Sequence, residues 1–115
     1  MKLAIVGSRT FNDYDKLCSF IMENYDINEI THIVSGGARG ADRLGEKFAK
    51  EHGIQLIVHP AEWDKYGKRA GFIRNVYIID DCDSCVCFWD GESHGTKHDI
   101  ELCKEKNKEC KICYF

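Results

Sequence analysis

Three short stretches of this chain combine glycine with side chains able to hold an anion: Gly7-Ser8-Arg9-Thr10-Phe11, Ser35-Gly36-Gly37-Ala38-Arg39-Gly40-Ala41-Asp42, and Asp90-Gly91-Glu92-Ser93-His94-Gly95-Thr96. The second is the most specific. Gly36, Gly37 and Gly40 let the backbone take positive φ and come close to a ligand, and a helix opening behind them presents unpaired N–H groups and a positive dipole end. Phosphate suits that arrangement, and Arg39 and Arg43 add fork-shaped guanidinium donors beside it. A tight strand-to-helix turn would account for the glycines, but not for the flanking arginines. In the first and third stretches Ser8, Ser93 and Thr96 can donate to a phosphate or ribose oxygen. Thr96 can equally cap a helix, with Asp99 at capping-box spacing behind it, and the two roles can coexist.

Charge narrows the kind of anion. The 115 residues carry 16 basic and 19 acidic side chains, a formal net charge of -3, and the pI is near 5.9. That is the wrong sign for a protein that neutralises many phosphates at once, so a nucleic-acid polymer is disfavoured. The distribution is uneven: residues 1–75 hold 11 basic and 10 acidic side chains, the remainder 5 and 9, and all five arginines (Arg9, Arg39, Arg43, Arg69, Arg74) lie in the first part. A few placed anion contacts fit a small anionic ligand. No cofactor is expected.

The elements that must position these loops follow from periodicity. Apolar, β-branched runs occur at 3–7, 31–35, 55–59, 84–89 and 111–115, with starts 28, 24, 29 and 27 residues apart. That is the rhythm of one strand plus one crossover helix, repeated. The first and fourth runs are apolar at consecutive positions, as strands covered on both faces are. Between the runs, Tyr14, Leu17, Cys18, Ile21, Met22 and Tyr25 step by three and four behind the capping residues Asn12 and Asp13, and Ala41, Leu44, Phe48 and Ala49 do the same ahead of Gly53. A third helix is expected over 68–81 and a fourth from about Thr96. The predicted architecture is α/β, a Rossmann-like three-layer sandwich with a mostly parallel sheet of about five strands, one domain over 1–115. In such a sheet ligands collect beyond the carboxyl ends of the strands, which is where all three loops fall.

Taken together, VSGGARGAD (34–42), AEWDKYGKRAGFIRN (61–75) and FWDGESHGT (88–96) closely resemble the YspA/cpYpsA-related branch of the SLOG superfamily, over nearly the whole chain. More distantly, SGGARGAD is similar to the SGLARGID motif of the DNA-processing protein DprA, and residues 91–96 are similar in place to the PGGxGT loop of the LOG phosphoribohydrolases. The resemblance implies a nucleotide or nucleotide-derived ligand, with Gly7, Ser8, Arg9, Gly36, Gly37, Arg39, Gly40, Asp42, Arg43, Arg74, Asn75, Asp90, Gly91, Ser93, Gly95 and Thr96 around it. Two alternatives follow from the distant relatives: cleavage of a nucleotide N-glycosidic bond, and DprA-like binding of single-stranded DNA, which the acidic pI opposes. A homodimer is a further expectation from such relatives.

One position departs from the hydrolase pattern. LOG-type enzymes place a glutamate two residues after Gly-Thr, whereas this chain has Gly95-Thr96-Lys97-His98. Histidine can act as a base but cannot supply the carboxylate that steadies an oxocarbenium-like centre. His98, Asp42 and Asp99 are the catalytic candidates, with Asp99 expected about 100° round the helix from the place of that glutamate. Arg74 falls close to the buried face of its helix and needs a partner, either one of Asp80, Asp81 and Asp83 or a ligand anion. Trp63 and Tyr66 can stack on a base or serve as core.

Seven cysteines is an odd number, and no export signal precedes the first run, so a cytoplasmic protein with reduced thiols is expected. Cys82-x-x-Cys85 and Cys110-x-x-Cys113 have ligand-like spacing, but residues three apart on a strand face opposite sides. Buried thiols acting as small hydrophobes are the expectation, with no metal site.

Overall fold

Leu3, Ala4, Ile5 and Val6 offer no polar face to solvent, and all four side chains are buried between two helical layers. They form the centre of β1 (Lys2–Gly7), the middle strand of a five-stranded sheet whose order is β3-β2-β1-β4-β5. The computed structural model describes residues 1–115; its other strands are β2 (His32–Ser35), β3 (Gln55–Val58), β4 (Ser84–Trp89) and β5 (Glu109–Tyr114). Every pairing is parallel. The α/β three-layer arrangement read from the strand spacing is therefore present, with all strands in one direction.

Two pairs of helices cover the sheet. α1 (Tyr14–Asn24) and α2 (Ala41–Glu51) bury Leu17, Ile21, Phe48 and Ala49 with Leu3, Ile5, Ile33 and Phe88 on one face. α4 (Ala70–Asp80) and α5 (His94–Glu105) bury Ile78, Ile79, Leu102 and Cys103 with Ala4, Val6, Val34, Cys85 and Cys87 on the other. α3 is a single turn, Trp63–Tyr66. Asp13 caps α1 by accepting from the Lys16 N–H at 3.1 Å, as its sequence position implied.

Three boundaries differ from expectation. The third helical segment is broken: α3 ends at Gly67, whose φ of 62° no helix continues, and a short 3₁₀ turn leads into α4. α5 starts at His94 with Ser93 as its N-cap, so Thr96 is already inside the helix and makes no capping box with Asp99. β5 starts at Glu109 because its register with β4 pairs Ser84 with Glu109 and Cys85 with Cys110, ahead of the apolar residues that mark the run in sequence.

No helix is long and apolar enough to cross a membrane. The cysteines divide as their strands require. Cys113 lies with the α1/α2 core, while Cys82, Cys85, Cys87 and Cys103 are buried in the α4/α5 core with Cys110 packed against them. The Cys87 Sγ stands 3.7 Å from both Cys85 Sγ and Cys110 Sγ.

Candidate functional site

Strand order sets where a ligand can enter. β1 leads to β2 and β3 on one side, and the chain then returns to place β4 and β5 on the other, so the loops after β1 and β4 part from one another at the carboxyl edge. At such a switch point an open sheet has a crevice. Here it is a cavity of about 340 Å³, lined by the β1 loop (Gly7, Ser8, Arg9, Thr10), the β4 loop and α5 (Asp90, Ser93, Gly95, Thr96, Asp99), and the α3–α4 segment (Trp63, Lys68, Gly71, Phe72, Arg74, Asn75), with Ala38 and Asp42 from the glycine loop.

The loops after β1 and β4 are locked to one another through side chains. Ser8 Oγ accepts from the Asp90 N–H at 3.3 Å and lies 2.8 Å from Ser93 Oγ, which in turn donates to Asp90 Oδ1 at 2.9 Å. The same carboxylate oxygen accepts the backbone N–H groups of Glu92 at 2.9 Å and Ser93 at 2.8 Å. Those backbone donors hold the Asp90 carboxyl down to about 2. Ser8 and Ser93, expected to contact ligand hydroxyls, thus line the cavity while already bonded to one another across β1 and β4.

The glycine loop is organised around Asp42. Its Oδ2 accepts from the Gly36 N–H at 3.1 Å and the Ala38 N–H at 3.4 Å, and the Gly37 N–H donates to Ser35 Oγ at 3.1 Å. The N–H groups of residues 36 to 38 therefore serve the loop itself. Gly40 takes φ +79°, and a Cβ there would collide with the Ser8 carbonyl oxygen, so this glycine is what lets the loop lie against the β1 loop. Arg74 completes the arrangement: Nη1 donates to the Gly36 carbonyl at 2.6 Å and Nε to Asn75 Oδ1 at 3.2 Å. It does not pair with Asp80, Asp81 or Asp83, because Lys106 holds Asp80, Lys2 and His59 hold Asp81, and the Lys2 N–H donates to Asp83.

Two carboxyls in the wall are buried. Burial pushes Asp42 up to about 6, against the opposing pull of Arg74 and the two backbone donors. Asp99 is 4% exposed, and its Oδ1 is buried with no hydrogen-bond partner. Burial, aided by the nearby Asp42 charge, lifts its carboxyl well above the ordinary carboxylate range. His98 stands behind the wall: its Nδ1 accepts from Asn75 Nδ2 at 3.2 Å, and its ring meets Phe72 edge-on at 4.7 Å. The resemblance puts His98 where LOG-type enzymes have their glutamate, with Asp99 about 100° further round the helix. The buried stripe of α5 runs Thr96, Asp99, Leu102 and Cys103, and of the two neighbours Asp99 lines the cavity while His98 does not.

Arg39 and Arg43 line a second hollow of about 290 Å³ together with Gly36 and Gly37. Arg9, Ala38, Trp63 and Arg74 belong to both walls. Trp63 is 49% exposed and does not join the core, since it stands on the separate turn α3 above the rim. Gly40 and Gly91 shape loops without lining either hollow. Among the predicted residues the cavity gathers eleven: Gly7, Ser8, Arg9, Asp42, Arg74, Asn75, Asp90, Ser93, Gly95, Thr96 and Asp99. Spacing gave no sign of Lys68, Gly71 and Phe72, which enter the wall through the break before α4.

A parallel α/β sheet with a cavity at its switch point is a Rossmann-like fold. Residues 1–66 match the model of the YspA, cpYpsA-related SLOG family, and the chain belongs to that family. It is also 31% identical over 104 residues to the Gene 61 protein of Mycobacterium phage D29, covering 84% of this chain and 83% of that protein. No solved structure matches the chain.

Proposed function

We propose that the protein binds a nucleotide or nucleotide-derived ligand in the switch-point cavity. The observation that carries this reading is the Asp99 carboxyl, buried in the cavity wall with Oδ1 unpartnered. A buried polar atom without a partner is costly, and a ligand donor or acceptor reaching it would relieve that cost. Family membership supports a nucleotide-related role. The test is thermal unfolding in the presence of nucleoside mono-, di- and triphosphates and dinucleotides. A ligand specific to the folded state raises the melting temperature by mass action, by about 2.7 kcal/mol of stability at a hundred times Kd. A panel that leaves the transition unmoved removes the reading.

A second reading, hydrolysis of the N-glycosidic bond of a nucleotide, is favoured by the pairing of Asp42 and Asp99 in one wall. In that reaction water adds to the anomeric carbon, the bond to the base breaks, and the base takes up a proton. Asp99, with its raised carboxyl, is suited to give that proton and is restored by the proton the attacking water loses, and Asp42 as carboxylate is suited to steady the positive sugar. Release of free base that disappears in Asp99→Asn supports this chemistry; equal release from the variant excludes it.

A further inference from the structure

We infer that the ligand of this site carries two or more linked phosphates, seated on an arginine compartment beside the cavity that holds its sugar and base. The inference rests on the nucleotide reading above and specifies the ligand class. The two hollows share the wall formed by Arg9, Ala38, Trp63 and Arg74, yet differ in chemistry. Three aspartates, Asp42, Asp90 and Asp99, line the first. No acidic residue lines the second, where Arg39 and Arg43 join Arg9 and Arg74.

Four of the five arginines of the chain thus surround one hollow. None of the five forms a salt bridge, although acidic side chains outnumber basic ones; the ion pairs are made by lysine and histidine. Arg74 faces the Asp42 carboxyl across Gly36, whereas Arg9, Arg39 and Arg43 have no carboxylate partner; like charges so gathered repel one another, and fork-shaped donors match phosphate oxygens. Two of the four are already aimed by the fold, since Arg43 Nε donates to the Gly37 carbonyl at 3.2 Å and Arg74 Nη1 to that of Gly36 at 2.6 Å. Their remaining donors are free for an anion. A single phosphate would satisfy part of this set, whereas a di- or triphosphate offers acceptor oxygens to more of it. The first cavity, with the half-exposed Trp63 at its junction and Asp99 in its wall, is of the size and polarity that a nucleoside moiety fills.

The experiment is calorimetric titration of the full chain with the mono-, di- and triphosphates of each nucleoside, with inorganic pyrophosphate, and with an oligothymidylate, repeated on Arg39→Ala and Arg39→Glu. Arg39 is exposed, so both variants keep the fold. The diphosphate of the preferred nucleoside should bind about tenfold or more tighter than its monophosphate. Arg39→Ala should erase most of that gain, weakening the diphosphate at least several-fold more than the monophosphate, and Arg39→Glu should abolish it. Equal affinities for mono- and diphosphate, or variants that weaken both alike, overturn the inference while the nucleotide reading stands. An oligothymidylate that binds more tightly than any di- or triphosphate overturns it in favour of a nucleic-acid ligand. Absence of binding by every nucleotide overturns both.

Discussion

Gly36 and Arg74 are 38 positions apart and meet at the rim of the sheet, where Arg74 Nη1 donates to the Gly36 carbonyl at 2.6 Å. A Cβ on Gly36 would lie 2.8 Å from that nitrogen and 2.7 Å from Asp42 Oδ2. The glycine is needed here for close approach, since two charged side chains pack where its side chain would be. Gly36→Ala should therefore displace Arg74 and strain the Asp42 carboxylate, destabilising the fold by about 1–3 kcal/mol, as overpacking does. Urea denaturation measures this. Ligand binding in the same variant should fall more steeply than stability.

Asp42 makes stability depend on pH in a defined sense. Its folded value of about 6 lies above the ordinary 3.8, so the folded state binds this proton more tightly than the unfolded chain. The contribution is fully present below about pH 4 and is lost as pH rises through 6. Asp42→Asn should remove that loss. The difference in unfolding free energy between variant and wild type should shift in favour of the variant between pH 4 and 7, by up to about 3 kcal/mol for a fully buried group. A difference constant across that range would show that Asp42 titrates as an ordinary carboxyl.

Asp99 and His98 are adjacent in sequence and should separate cleanly in function. Asp99→Asn replaces a carboxyl whose charged form burial disfavours with a neutral amide of the same shape, so the free protein should melt higher at pH 7 while the ligand-induced shift shrinks. His98→Ala takes away only the acceptor for Asn75 Nδ2 and the edge contact with Phe72. Ligand affinity should then change by less than about threefold, under 1 kcal/mol. Melting curves with and without nucleotide check both variants.

Alkylation of the native protein should discriminate among the seven cysteines. Cys82, Cys85, Cys87, Cys103 and Cys113 are buried, and Cys18 and Cys110 are half-buried. The neighbouring thiols of Cys103, Cys85 and Cys87, the last with its Sγ 3.7 Å from Cys110 Sγ, lower the pKa of Cys110, while burial raises the Cys82 thiol to about 11. Cys110 should react first with iodoacetamide, before Cys82, as peptide mass spectrometry would record. Labelling of Cys82 at the same rate as Cys110 would contradict this arrangement.

The sheet was legible because its strands announce themselves twice, as β-branched runs and as a regular interval, and the parallel rule then carries the loops to one rim. What stayed hidden depends on contacts across the sequence. β5 opens with Glu109 and Cys110, which have no strand character of their own and are recruited by pairing with Ser84 and Cys85. Glycine spacing foretold a loop that comes close to something, and the Asp42 carboxylate and Arg74 guanidinium pack there. Likeness to the LOG pattern marks His98 by its place after Gly-Thr, whereas which side of α5 faces the cavity is set by packing, which brings Asp99 to the wall. The meeting of Cys85, Cys87, Cys103 and Cys110 escaped notice because pairs three apart were weighed, while the pair two apart on β4, 85 and 87, shares a face.

The central position of β1 has a consequence for synthesis on the ribosome. β1 is made first, and its neighbour β2 follows within some thirty residues, but its other partner, β4, begins only at Ser84. Until then the emerging half-sheet β1-β2-β3 carries an open edge along its most apolar strand, and Ala4 and Val6 lack the α4 and α5 residues that later cover them. An edge of this kind pairs readily with other chains. Pausing or truncation between about residues 60 and 90 should thus be the interval in which the nascent protein most needs a chaperone, and a released fragment of that length should aggregate where the whole chain does not.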